Sequence, residues 1–159
     1  LSDVIESVEA AHHSHGIRKF TADEVSFAYK HTGIVSEGWI VSSVTLKWED
    51  GDADEISRRM DAIERFRSEN HHFDHPSCGC IFKNDHQRNI QAGKLIDSLG
   101  LKGLASGGAR VSPHHANFII NAGDATARDV LNLIEQIEET VRREAGVTLE
   151  REVKLLGRF

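Results

Sequence analysis

The run "DATARDVLNLIEQIEETVRREAG", 124–146, constrains the fold more than any other part of the chain. Val130, Ile134, Ile137 and Val141 recur at helical spacing on one face, and Gly146 stands where a helix would stop. Such a helix needs an apolar partner, because most helical stability in proteins comes from packing of that face. The neighbouring segments offer one as short strands: "CIF" at 80–82, "GGARVS" after a glycine turn, and the apolar "NFIIN". Between them "AGKLIDSLG" reads as a short helix closed by Gly100, and "VTLEREVKLLG" as two short closing strands. One long helix beside short strands gives a compact α+β lobe over 76–159.

The first 75 residues have a different texture. "VIESVEA", 4–10, alternates apolar and polar residues as a half-buried strand does, and Ile17 to Phe20 reads as its hairpin partner across "HHSHG". Thr21 with Glu24 three positions later is a capping-box pattern, opening a helical turn that leads into "FAYKHTG". "WIVSSVTLKW", 39–48, is a second alternating strand, rich in β-branched residues. Asp52 or Asp54 then starts a helix with Ile56, Met60, Ile63 and Phe66 on one face, fading into a His-rich linker from Asn70 to Pro76. The expected fold class is therefore α+β in two parts, strands plus one helix over 1–75 and the compact lobe over 76–159.

Composition narrows the function. The net charge is −6 and the 19 basic residues are scattered, with no run longer than a pair such as Arg58-Arg59 or Arg142-Arg143. A nucleic-acid backbone reader needs a concentrated positive face, so no nucleic-acid partner is expected. No apolar stretch approaches the length of a membrane span and none reads as a signal peptide, so no membrane partner is expected either. Two cysteines one residue apart make no disulfide framework, which points to a reducing, cytoplasmic setting. The chain starts with Leu1 rather than Met, directly in strand-like sequence, and reads as a fragment of something longer.

The chemistry gathers around "PSCGCIFKN", Pro76 to Asn84. His71, His72, His75, Cys78, Cys80 and His86 are all residue types that bind zinc, but no finger or ribbon spacing emerges, and Cys-x-Cys is only half a site. A polar, His-rich linker outweighs a zinc-binding module at 71–86, and no metal is assigned. A disulfide across one residue is strained, so a redox pair carries little weight. One working thiol remains: Gly79 lets the backbone approach a ligand, and Cys80 at the start of a strand has a fixed direction. A free thiol with a pKa of about 8.5 is mostly protonated at neutral pH and can donate a proton. On spacing alone, a small buried hydrophobe explains Cys80 as well. Glu152 in "EREVKLL", with Val153, Leu155 and Leu156 packing opposite, is more often a solvated edge carboxylate than a catalyst.

Taken together, "GCIFKN", "AGKLIDSLGLKG", "GGARVSPHHANFIINAGDATARDVLNLI" and "LEREVKLLG" follow in an order that resembles the C-terminal half of the MurB family, the UDP-N-acetylenolpyruvoylglucosamine reductases of peptidoglycan synthesis. "DVIESVEA", "TADEVSFAYKHTGI" and "WIVSSVTLKW" resemble the part just before it, so the likeness covers essentially the whole chain. The absence of a long insertion before "AGKLID" resembles the shorter of the family's two subtypes.

The resemblance implies a flavoenzyme in which FAD, reduced by NADPH, passes a hydride to the double bond of UDP-N-acetylglucosamine enolpyruvate. A side chain then protonates the carbon beside the carboxylate. In most of the family that donor is the serine of a Gly-Ser-x-Phe-Lys-Asn motif, and Cys80 stands in its place. Glu152 matches the carboxylate that polarises the substrate near the C-terminus. The family's Tyr-Arg-x-Ser pattern reads here Tyr29-Lys30-His31-Thr32, where lysine keeps the charge but loses the two-pronged grip on a carboxylate. Lys83 and Asn84 match positions near the diphosphate, His115 a polar substrate contact, and Lys154 a basic position facing the flavin. The family's glycine-rich flavin loops have no counterpart in this sequence. The resemblance thus implies the end of the FAD-binding domain over 1–75 and the substrate domain over 76–159, inactive and unable to hold FAD tightly without a missing N-terminal part. The rival expectation is a non-catalytic nucleotide-sugar binding module.

Overall fold

The computed structural model describes residues 2–69 and 74–157. It divides into two compact units, Leu1–Ile56 and Ser57–Phe159. The division falls inside a continuous helix, whereas the change of texture read at 75/76 coincides with the start of the second unit's sheet.

In the first unit, β1 (Ile5–His12) is the middle strand of a three-stranded antiparallel sheet, flanked by β2 (Gly16–Thr21) and β5 (Ile40–Leu46). The hairpin and the strand expected at 39–48 both form. Ile5, Val8, Ala10, Phe20, Val25, Ile34 and Trp39 make its small core. At the hairpin turn the Ser14 N–H donates to His12 Nδ1 at 3.1 Å, while the His12 ring stacks on His15 and tilts against Trp39. The capping box is present as read: Glu24 Oε2 accepts from the Thr21 N–H at 2.8 Å and from its hydroxyl at 3.1 Å, around a single 3₁₀ turn. The segment "FAYKHTG" becomes a small hairpin, β3 (Phe27–Ala28) and β4 (His31–Thr32), followed by one helical turn, α1 (Gly33–Ser36). Tyr29 and Lys30 form its two-residue turn, with Lys30 left-handed at φ 53°.

Helix α2 (Ala53–Glu69) starts at Asp52, whose Oδ1 accepts the Glu55 N–H at 2.8 Å. None of its residues is buried. The face read as apolar is present, but Ile56, Met60, Ile63 and Phe66 are all exposed.

The second unit carries the expected lobe. A four-stranded antiparallel sheet runs in the order β6 (Ser77–Cys80), β9 (Phe118–Asn121), β8 (Ala109–Val111) and β7 (Ala105–Ser106). Helices α3 (Ala92–Ser98) and α4 (Ala127–Ala145) complete it. Leu133, Ile134, Ile137 and Val141 of α4 share one core with Ile81, Phe82, Ile96, Val111 and Ile119. The buried face is wider than the periodicity gave, adding Leu131 and Leu133, while Val130 is only partly buried. Thr126 caps α4 by accepting the Asp129 N–H, and Gly146 ends it in the left-handed region at φ 65°.

Two expectations need correction. "CIF" is not a strand of its own: β6 begins at Ser77 and ends at Cys80, so Cys80 closes a strand rather than opening one. The cause is a bulge between the pairs Ser77–Ile120 and Cys80–Phe118, with Gly79 left-handed at φ 79°. The two closing strands of "VTLEREVKLLG" are also absent; that segment makes a single bridge, Phe82 to Arg151. Of the three side chains expected to pack, Leu155 and Leu156 are exposed and Val153 packs against the core, which Leu149 of the same segment joins.

Candidate active site

The segment after Cys80 changes partners, and that change builds the site. Up to Cys80 the backbone pairs with β9; the Ile81 N–H still donates to the Asn117 carbonyl at 2.9 Å. From Ile81 onward the other edge is taken by the C-terminal segment. The Ile81 carbonyl accepts from the Glu152 N–H at 2.7 Å, and the Lys83 N–H donates to the Glu150 carbonyl at 2.8 Å. Residue 152 thereby stands one backbone hydrogen bond from the residue that follows the thiol. Both Cys80 and Glu152 are half-buried.

Side chains on either side hold Glu152's segment. Arg151 makes a two-pronged ion pair with Glu138 of α4, Nε to Oε1 at 2.5 Å and Nη2 to Oε2 at 2.6 Å. Those hydrogen bonds raise the guanidinium's pKa above its ordinary value. Glu150 accepts from Lys83 Nζ at 2.6 Å. Arg151 was not singled out in the sequence, although "EREVK" alternates charges in a way that invites such anchoring.

The structure thus brings together Cys80, Lys83, Asn84 and Glu152 along one strand-like segment and its neighbour. Asn84 Oδ1 accepts the Ala92 N–H at 3.0 Å, which commits its carbonyl oxygen to the start of α3. His115 is half-buried; its Nδ1 accepts from the Asn117 N–H at 3.2 Å and its own N–H is held by Ser112 Oγ. Lys154 is exposed. Tyr29, half exposed, and Lys30 belong to the first unit, at the β3–β4 turn. His71 and His72 of the zinc alternative lie outside the described residues; among the described residues, no three metal-ligating side chains gather.

One glycine pair among the described residues does not fit a flavin phosphate. The space beside Gly107-Gly108 is filled. A Cβ on Gly107 would run into the Asp129 carboxylate, and one on Gly108 into the Gly123 carbonyl. A carboxylate in the space a phosphate would need repels it.

Residues 71–156 match the family model described as "UDP-N-acetylenolpyruvoylglucosamine reductase, C-terminal domain". UDP-N-acetylenolpyruvoylglucosamine reductases of Pediococcus pentosaceus and Caldanaerobacter subterraneus are each 40% identical over 157 residues, 99% of this chain. The match takes in 52% and 51% of those proteins, so the chain spans about half the length of the curated relatives it matches. The crystal structure of UDP-N-acetylenolpyruvylglucosamine reductase (MurB) from Thermus caldophilus superposes with a TM-score of 0.78 at 36% identity, covering 96% of this chain and 53% of that one. Among the described residues no helix is long and apolar enough to cross a membrane.

Proposed function

Since the chain belongs to the UDP-N-acetylenolpyruvoylglucosamine reductase family through its C-terminal domain, we propose that 76–159 is the substrate-binding lobe of an enzyme reducing UDP-N-acetylglucosamine enolpyruvate to UDP-N-acetylmuramate. Residues 1–75 are, on this reading, the end of its flavin-binding domain. FAD reduced by NADPH is the cofactor pair implied for the whole enzyme. Among the residues described here only Lys154 is assigned toward the flavin, and the others contribute proton delivery and substrate contact.

One observation carries the reading: the Glu152 N–H bonds to the Ile81 carbonyl at 2.7 Å, which fixes a carboxylate-bearing residue beside the thiol's strand end. Reduction of a double bond conjugated to a carboxylate leaves the carbon beside that carboxylate in need of a proton. Cys80 supplies it: the S–H bond breaks, a C–H bond forms, and the thiol becomes a thiolate that solvent reprotonates. Glu152 polarises the substrate, and Lys30 lends positive charge to the developing enolate. Tyr29, Lys83, Asn84 and His115 are the proposed substrate contacts.

The first test is a calorimetric titration of this chain with UDP-N-acetylglucosamine enolpyruvate. Saturable binding that Asn84→Ala weakens supports a preformed lobe; no heat with a folded chain counts against it. In an enzyme completed with a flavin-binding half, Cys80→Ala should slow substrate reduction by about 10²–10⁴-fold while NADPH still reduces the flavin. If substrate reduction persists unchanged, Cys80 is not the acid. The second reading, a non-catalytic nucleotide-sugar module, draws on Lys30 standing where the family has arginine. Binding without turnover in the completed enzyme, unrescued by Lys30→Arg, would favour it.

A further inference from the structure

Asn117 is 3% exposed and is one of three buried polar residues in the described chain, with Ser7 and Ser112. A buried carboxamide is costly unless its donors and acceptors are met. Here they are met in an unusual way, by both backbone groups of a single residue. Asn117 Oδ1 accepts the Phe82 N–H at 3.0 Å, and Asn117 Nδ2 donates to the Phe82 carbonyl at 2.8 Å. This is the pair of bonds a neighbouring strand would have made. The β6–β9 register ends at Cys80–Phe118, so beyond it no backbone of β9 pairs with Phe82. The side chain therefore extends the ladder by one residue past the strand's end.

The main chain of Asn117 adds to that grip. Its carbonyl accepts from the Ile81 N–H at 2.9 Å, and its N–H donates to His115 Nδ1 at 3.2 Å. On the opposite edge of residues 81–83 run Glu150 to Val153, bonded through the Ile81 carbonyl and the Lys83 N–H. The segment between the thiol and the motif's Lys83-Asn84 is thus clamped from two sides, and one clamp is a single side chain. Helix α3 closes against it: a Cβ on Gly93 would lie 3.4 Å from Asn117 Cβ and 3.3 Å from His115 Cε1.

We infer that Asn117 is a positioning residue that sets the placement of Cys80 relative to Glu152 through the backbone of Ile81 and Phe82. The inference rests on the assignment of Cys80 and Glu152 as the working pair. Its physical content, however, is a geometry that can be measured without turnover.

The replacement that isolates the effect is Asn117→Asp. It keeps shape and acceptor but puts a carboxylate oxygen against the Phe82 carbonyl, where an N–H had been. A protonated carboxyl restores a donor at that point, and burial favours the protonated form. Amide exchange is read on this chain in a Cys78→Ser background, which leaves Cys80 as the sole thiol. At about pH 7, Asn117→Asp should lower the protection factors of Phe82 and Glu152 by about tenfold or more beyond any loss elsewhere in the lobe, because the carboxylate repels the Phe82 carbonyl and loosens residues 81–83 from both neighbours. At about pH 5 that extra loss should shrink as the carboxyl protonates. The dependence of Cys80 alkylation rate on pH should shift in the same variant. Ile134→Val, a loss of one methyl group from the same core, should lower protection evenly and show no recovery with acid.

Uniform loss of protection in Asn117→Asp, or no recovery with acid, would make Asn117 an ordinary core residue and overturn the inference. If that variant does not fold, Gly93→Ala presses the Asn117 side chain while leaving every donor in place. It should perturb the Phe82 and Glu152 amides ahead of the rest of the lobe, and an unperturbed pair of amides would equally overturn the inference. Failure of the Cys80 assignment shows separately, as an unaffected Cys80→Ala in the completed enzyme.

Discussion

Helices α4 and α2 are alike in sequence and opposite in what they do. Each carries apolar residues at helical spacing, and they span 19 and 17 residues. Helix α4 buries five side chains and is closed at both ends, by Thr126 and by left-handed Gly146. Helix α2 buries none, although its N-terminus is capped by Asp52. Periodicity reports which face of a helix would be buried. Whether anything is there to bury it against depends on residues distant in sequence, and for α4 those are Ile81, Phe82, Ile96 and Val111.

The largest expected effect follows from that contrast. Ile137, 1% exposed in the centre of α4's face, should cost about 2–5 kcal/mol when replaced by alanine, because the cavity cannot fill. Denaturant unfolding of the chain measures it. A loss below about 1 kcal/mol would mean the lobe's core relaxes and that α4 resembles α2 after all.

Thr126→Ala comes next, at about 1 kcal/mol for a lost N-cap. Its pH dependence follows from Asp129, whose carboxyl is held below the usual range first by the Thr126 N–H and then by its hydroxyl. A depressed carboxylate contributes stability above its unfolded value of about 3.9 and loses it as pH falls through the lower folded value. The gap between variant and wild type should therefore be constant near neutrality and narrow in acid below about pH 4. A constant gap throughout would remove Asp129 from the cap's account.

Much of this architecture could be read beforehand, and for physical reasons. Helix α4, the β1–β2 hairpin, β5 and the Thr21–Glu24 box depend on local pattern, and all four form. The failures are where pairing depends on remote backbone. The bulge at Gly79 moves Cys80 to the end of its strand, and nothing within "SCGCIF" states that residue 117 will supply the missing bonds. The closing strands fail similarly: Glu150 to Val153 have a neighbour only over residues 81–83, too short a stretch to form a ladder. At the proposed site, the family resemblance points to Cys80, Lys83, Asn84 and Glu152. Asn117, which is buried, and Arg151, which is half-buried, were missed because such anchoring is recognisable only once the partners are known. The Asn inside "HHANFIIN", a polar residue opening an otherwise apolar strand, was the available hint.

The hairpin of the first unit gives a smaller effect with a definite sign. Burial, then the neighbouring His13 and His15, hold His12 below its ordinary value. The Ser14 N–H on Nδ1 acts in the same direction, since a protonated Nδ1 cannot accept it. A histidine with a depressed folded value favours the fold above the unfolded value of about 6.5 and destabilises it progressively as pH falls below that. With Trp48→Phe leaving Trp39 as the sole indole, Trp39 fluorescence should change with a midpoint below about 6.5. Replacing His13 and His15 by Asn should move the midpoint upward. A midpoint that stays put would show that the neighbouring rings do not act on His12.

The smallest expected effect is the sharpest check on the opening contrast. Ile63 lies on α2's apolar face and is 60% exposed, so Ile63→Ala should change the stability of this chain by no more than about 0.5 kcal/mol. The same chemical change at Ile137 is expected to cost several times more, and a shared unfolding assay compares them directly. Helix propensity works slightly in favour of the Ile63→Ala variant, because a β-branched residue loses rotamer freedom that alanine never had. A small gain is therefore as consistent with exposure as no change. A loss approaching that of Ile137→Ala would mean the stripe is covered in solution. Repeating the measurement at several protein concentrations then separates cover by a second copy, which strengthens with concentration, from cover within one chain, which does not.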